Sequence, residues 1–206
     1  MDEAAPAGND GTEHRARWWH YLLAVGAAVA IALLLRFFVF QASWVPTGSM
    51  RPTLLEGDFL LINRLAYLLR EPRRGEVIVF SDGDVDYVKR VLAVPGDEYR
   101  FADGYLWVNG ERLDERPYLA DGAWGHTRGL HLGGEVHRVP ADCYLALGDN
   151  RLHSRDSRSL GYVRRGEILG KAFLVYLSVR LGELGEAGWW AAPFHLRLDR
   201  MLDVVR

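Results

Sequence analysis

Ser49 lies in the run Pro46-Thr47-Gly48-Ser49-Met50-Arg51-Pro52-Thr53-Leu54, and Lys89 lies in Asp86-Tyr87-Val88-Lys89-Arg90. A third, polar run starts at Gly148-Asp149-Asn150-Arg151 and continues to Ser154-Arg155-Asp156-Ser157-Arg158. A serine hydroxyl becomes a useful nucleophile when a neighbouring base takes its proton, and a lysine can be that base only while neutral. An ordinary lysine, with a pKa of about 10.4, is almost wholly charged at neutral pH. Lowering it by roughly two to three units requires desolvation costing about 3–4 kcal/mol. Tyr87, Val88, Val91 and Leu92 supply apolar surroundings of that kind. Taken singly, each residue has a plainer reading: a loop serine, and a solvated strand lysine with Arg90 as a second exposed cation.

Together the two residues make the simplest hydrolytic nucleophile, with lysine in the place histidine holds in a triad. Gly48 is expected to give the backbone before Ser49 the freedom for a tight, strained turn. Pro46 and Pro52 restrict the flanks, so the hydroxyl is presented rather than folded into a strand. The Gly148–Arg151 run is a turn sequence rich in side chain to backbone hydrogen bonds. Ser154, Asp156 and Arg158 alternate, and in an extended chain they project to one side. Ser154 is placed to orient the lysine. Asp156 with Arg158, or Asp149 with Arg158, is placed to brace the site as a buried ion pair.

The elements that must position these residues are an N-terminal helix and a β-rich body. Residues 1–13 are polar and are expected to lack fixed structure. Arg15 and Arg17 come next, then Trp18, Trp19 and Tyr21, and from Tyr21 to Phe40 the chain is apolar except for Arg36. Twenty residues at about 1.5 Å each match a hydrocarbon core of roughly 30 Å. The arginines before the span predict an inside N-terminus, with Ser49 and all that follows outside. A cleavable leader fits less well, because Arg36, Phe37, Phe38 and Phe40 stand where small residues belong.

Beyond the span, short apolar or alternating runs predict strands at Asp58–Asn63, Glu76–Ser81, Tyr87–Val94, Tyr105–Val108, Tyr144–Leu147 and Lys171–Val179. Asn109-Gly110 suits both positive-φ positions of a type I′ hairpin. Residues 114–137 read as a long excursion without an assigned element. Phe194, Leu198, Met201, Leu202 and Val205 recur at helical spacing after Pro193, predicting a C-terminal helix packed on the sheet. With Trp189 and Trp190, that helix could instead dip into a lipid interface.

The bulk numbers set bounds. A chain of 206 residues holds one ordinary domain plus an anchor. A formal charge of −2 gives no reason to expect a nucleic-acid partner. The single cysteine, Cys143, excludes an intramolecular disulfide and reads as a small hydrophobe on a strand. His126, His131 and His137 have no metal-ligand spacing. Asp82, Asp84 and Asp86 lack the glycine and distal glutamate of a calcium loop, and read as a solvated hairpin tip.

The anchor, the 46–54 run, Tyr87-Val88-Lys89-Arg90-Val91 with Pro95-Gly96-Asp97, and Gly148 to Gly161 together resemble the bacterial type I signal peptidases. These are Ser-Lys enzymes that remove signal peptides from exported preproteins. The resemblance implies a mainly β protein: a polar cytoplasmic N-terminus over 1–17, a transmembrane helix over 18–40, and an all-β extracytoplasmic peptidase domain over 41–206. It implies a single-pass protein of the bacterial cytoplasmic membrane, with exported preproteins and the lipid bilayer as partners and neither metal nor other cofactor. By resemblance Ser49 is the nucleophile and Lys89 the general base. Thr47 and the Ser49 amide form the oxyanion site, Ser154 orients the lysine, and Asp149, Asp156 and Arg158 brace the site. The preprotein would lie extended along a sheet edge, cut after a small-x-small sequence. The chain departs from the family pattern at Ala93, where glycine is usual, and at Thr47, where many relatives have serine. Its short segment between Lys89 and Gly148 matches the members without a large insert. Competing readings are a peptidase dedicated to one client, a membrane-anchored module that binds peptides without cutting them, and a self-cleaving Ser-Lys repressor. A binder has no use for a costly neutral lysine, and a span stands where the repressor would need a DNA-binding unit.

Overall fold

The structure, a computed structural model, describes residues 10–38, 40–119, 134–180 and 196–205. The chain divides into two units, Met1–Val39 and Phe40–Arg206. The described residues of the first form a helix, α1 (Asp10–Phe38), of 29 residues. It starts within the stretch expected to be unstructured, so residues 10–13 are helical. Trp18, Trp19, Tyr21, Leu22, Leu23, Val25, Val29, Ile31 and Leu33 are each more than half exposed along it. Among the described residues no helix is long and apolar enough to cross a membrane. Phe40, expected to close the anchor, instead opens a strand.

The second unit is built from β1 (Phe40–Trp44), β2 (Asp58–Asn63), β3 (Val77–Asp82), β4 (Val85–Ala93), β5 (Glu98–Ala102), β6 (Tyr105–Val108), β7 (Glu111–Arg112), β8 (His137–Arg138), β9 (Cys143–Leu147), β10 (Val163–Arg164), β11 (Ile168–Ser178) and β12 (Asp203–Val204). One sheet runs β1-β2-β11-β3-β4-β9-β10 with β12 on β11, and a smaller one runs β7-β6-β5-β8. All six predicted strands are present; β2 and β6 have the predicted limits, while β11 begins at Ile168 rather than Lys171. β5 escaped notice because Glu98 and Arg100 interrupt its apolar residues. Asn109 and Gly110 have φ of 53° and 83°, as the type I′ hairpin between β6 and β7 requires. Asp82, Asp84 and Asp86 are exposed at the β3–β4 hairpin tip.

The predicted C-terminal helix is not formed among the described residues. Leu198–Arg200 makes one 3-10 turn, and Asp203–Val204 extends to pair with β11. Leu198 and Leu202 are 70% exposed, whereas Val205 is buried in the core with Val45, Leu60, Ile62 and Val175. The apolar spacing thus lacks the continuous buried face that would hold a helix on the sheet. Phe194, Pro193, Trp189 and Trp190 lie outside the described residues.

The central strands carry the site. β4 is solvated at its start and buried from Lys89 onward, because β3 and β9 flank it. Lys89 stands opposite Ile78 of β3, and Arg90 opposite both Val77 of β3 and Leu147 of β9. Leu147 ends β9 directly before the Gly148 loop. The lysine strand and the polar loop are therefore neighbours through ordinary antiparallel pairing.

Candidate active site

Ser49 sits in a 3-10 turn, Gly48–Met50, that follows β1. Val45 and Gly57 close the base of the loop, with Val45 N donating to Asp58 O at 2.9 Å and Gly57 N to Val45 O at 3.0 Å. Met50 and Leu54 are fully buried in the core and pin the far side of the turn. Gly48 is not in the left-handed region, so its role is not the expected backbone strain. A Cβ there would come within 2.6 Å of Glu56 Oε1 and 2.9 Å of Arg51 Nε, and Arg51 and Glu56 form an ion pair at 2.7 Å. The glycine makes room for that pair.

Lys89 Nζ donates to Ser49 Oγ at 2.8 Å and to Val88 O at 2.9 Å. The residue is 2% exposed, and its ammonium lies 5.8 Å from the centroid of the Tyr87 ring. Burial pulls the lysine pKa down from 10.5 to about 8, against the opposing fields of Asp156 and Asp149 and with help from Arg158. That is the direction and size a neutral base near pH 8 requires. Thr47 Oγ1 is 3.4 Å from Ser49 Oγ, so its hydroxyl borders the same space.

The polar loop grips both partners. Gly148 is the point of closest approach, where an added Cβ would lie 2.2 Å from Ser154 Oγ and 2.4 Å from Ser49 O. Its amide donates to Asp156 Oδ2 at 2.9 Å, and Arg158 clamps Asp156 at 2.7 and 2.8 Å. Burial raises the Asp156 pKa, but the Arg158 side chain and the Gly148 amide outweigh it and hold the carboxylate ionised. The chain here is not extended as expected. Asp156 is the N-cap of α2 (Ser157–Leu160), so Arg158 folds back onto it from the first helical turn.

Of the two ion pairs considered, Asp156–Arg158 forms and Asp149–Arg158 does not. Asp149 instead takes two bonds from Arg90, at 2.8 and 2.6 Å, and one from Thr53 Oγ1 at 2.5 Å. Arg90 is fully buried rather than an exposed cation; its guanidinium also donates to Gly75 O at 2.7 Å and lies 4.3 Å from the Tyr118 ring centroid. Ser154 Oγ is buried beside Asp156, whose pKa it helps to lower, and the hydrogen bonds of Lys89 go to Ser49 and Val88 rather than to it. Its place beside Gly148 still sets it near the dyad.

Sequence reading did not single out Arg90, Thr53, Asn150, or the buried pair Arg151–Glu115. The available signal was Asp149 itself, since a carboxylate beside buried strand ends needs a cation and Arg90 is on the adjoining strand. Cys143 is half-buried on β9, as a small strand hydrophobe. Among the described residues no group of acidic, histidine or cysteine side chains could hold a metal ion.

A serine hydroxyl bonded to a desolvated lysine, beside a second hydroxyl, is an arrangement able to support serine hydrolase chemistry. Residues 18–177 match the family described as signal peptidase, peptidase S26, and the chain belongs to that family. It is a hydrolase of the serine endopeptidase class. The chain is 41% identical over 166 residues to a probable signal peptidase I-2 of Synechocystis, covering 76% of this chain and 72% of that one. It is 40% identical over 171 residues to signal peptidase I of Bacillus caldolyticus, covering 80% of this chain and 92% of the other. A solved signal peptidase I of Enterococcus faecalis is 28% identical with a TM-score of 0.40, over 50% of this chain and 97% of that one, a likeness on which nothing further rests.

Proposed function

We propose that this protein removes N-terminal signal peptides from exported preproteins, using Ser49 as nucleophile and Lys89 as general base. The observation that carries this reading is the 2.8 Å bond from Lys89 Nζ to Ser49 Oγ, made by a lysine whose pKa is near 8. The preprotein lies extended with small residues at the first and third positions before the cut. Neutral Lys89 takes the Ser49 proton as Oγ bonds to the scissile carbonyl carbon. The Ser49 amide and the Thr47 hydroxyl hold the oxyanion. Collapse breaks the C–N bond, and Lys89 returns the proton to the departing amine. Water, deprotonated by the same lysine, then releases the acyl group. Asp156 with Arg158, and Asp149 with Arg90, hold the Gly148 loop against the dyad, and Ser154, carried by that loop beside Gly148, is the candidate to orient the lysine.

The exposed apolar residues of α1 need a nonpolar surrounding, which a bilayer supplies. In this reading α1 anchors the chain in the bacterial cytoplasmic membrane, with residues 1–17 inside and the peptidase unit outside. The test is incubation of a signal-bearing preprotein with the detergent-solubilised chain and its Ser49→Ala and Lys89→Ala variants. The reading expects wild type to cut after a small-x-small sequence and both folded variants to be inactive. A folded variant with full activity removes that residue from the dyad.

A further inference from the structure

The oxyanion site depends on one peptide unit, the one joining Gly48 to Ser49, because its N–H is the backbone donor. That unit is planar, so whatever fixes the Gly48 carbonyl also fixes the direction of the Ser49 N–H. Asn150 Nδ2 donates to Gly48 O at 3.0 Å, and Asn150 N donates to Ser49 O at 3.0 Å. A single residue, about 100 positions away in sequence, thus holds the carbonyls on both sides of Ser49. Arg51 N also donates to Gly48 O, at 3.2 Å, closing the 3-10 turn from within.

The Asn150 side chain and backbone are both engaged within the loop. Its Oδ1 lies 3.4 Å from His153 Nδ1, and His153 N donates to Asn150 O at 3.0 Å. The neighbouring residues fix the loop that carries it: Asp149 through Arg90, and Gly148 through Asp156. A hydrogen bond accepted by the Gly48 carbonyl has a second effect. Bonds in series polarise one another, so the Ser49 N–H becomes a stronger donor when Gly48 O is occupied.

We infer that Asn150 is a positioning residue for the oxyanion site, its side-chain amide aiming and polarising the Gly48–Ser49 peptide. The inference rests on the Ser49–Lys89 reading above. Asn150 need not touch the substrate; it sets the donor that does.

The experiment compares wild type with Asn150→Leu, which keeps about the same side-chain size and the backbone N–H but removes the Nδ2 donor without adding a charge beside Lys89. Three quantities are read on a small-x-small peptide: kcat, KM, and inhibition by the matching peptide aldehyde, whose adduct with Ser49 carries a tetrahedral oxyanion. Removal of a direct oxyanion donor costs roughly 100- to 1,000-fold in kcat, and loss of its support is expected to cost about 10- to 100-fold. The expected result is that fall in kcat with KM within about twofold, the aldehyde weakened by the same factor as kcat/KM, and the pH midpoint unchanged. A general loosening of the fold would instead raise KM, shift the pH midpoint and lower the melting temperature together, and that pattern overturns the inference. Full activity in Asn150→Leu also overturns it. Ser49→Ala and Lys89→Ala run alongside separate the two failures: if they are inactive while Asn150→Leu is normal, only the role of Asn150 falls. If they retain activity, the dyad falls first.

Discussion

Lys89 and Ser49 are 40 residues apart in sequence, yet Nζ lies 2.8 Å from Oγ and the lysine is 2% exposed. The sheet produces that meeting. β3 and β9 enclose the buried half of β4, and β9 delivers the Gly148 loop to the back of the Ser49 turn. The lysine is costly to the fold and useful to the chemistry for the same reason, which is lack of water.

Replacing Lys89 by methionine should abolish cleavage and stabilise the fold. The pKa is depressed, so between about 8 and 10.5 the unfolded chain binds the extra proton and stability rises with pH. The penalty is complete below about pH 8 and disappears towards 10.5. It amounts to at most about 3 kcal/mol at neutral pH. Urea midpoints at pH 7 and pH 10 check this: the gain in Lys89→Met should be largest at pH 7. Equal midpoints at pH 7 would show that the lysine carries no desolvation cost.

Thr47→Val removes a hydroxyl while keeping the shape, and should lower kcat by roughly 100-fold or more with little change in KM. Thr47→Ser should restore most of the rate. If Thr47→Val cleaves normally, the side-chain donor of the oxyanion site lies elsewhere.

Gly148→Ala places a Cβ 2.2 Å from Ser154 Oγ and 2.4 Å from Ser49 O, closer than any real contact. The serine side chain can turn away, but the Ser49 carbonyl can move only with the nucleophile. A displacement near 1 Å costs about 100-fold in rate, so kcat should fall at least that far. An alanine variant with wild-type kcat would mean that the loop and turn are not in contact in solution.

The Arg90–Asp149 pair is 0% exposed on both sides. Removing one partner leaves an uncompensated buried charge, and Arg90→Met or Asp149→Leu should each destabilise by about 3–5 kcal/mol. The double variant should recover much of the loss, because both charges are gone. Denaturant midpoints across the four proteins measure it, and losses that simply add would refute coupling through the pair.

The sequence was most legible where local chemistry decides structure. Asn109-Gly110 specified its hairpin, and the apolar runs at Asp58–Asn63 and Tyr105–Val108 specified strands to the residue. Residue type suggested pairing Ser49 with Lys89 only when their two segments were read together, and their side chains do meet at 2.8 Å. Arg90 was not legible, because the groups that cover its side chain, Thr53, Gly75, Tyr118 and Asp149, come from distant parts of the chain. The turn of Arg158 back onto Asp156 was missed because an N-cap competes with alternation over a few residues. The tail misled for a related reason: Leu198, Met201, Leu202 and Val205 have helical spacing, but β11 offers a strand partner that the spacing ignores.

The most direct test of the central claim is the dependence of kcat/KM on pH for a small-x-small peptide. A neutral Lys89 base with a pKa near 8 predicts a rate that climbs with pH through a single midpoint about there and levels above it. A profile flat across that range, or one rising at the histidine value of about 6.5, would contradict Lys89 as the base that activates Ser49.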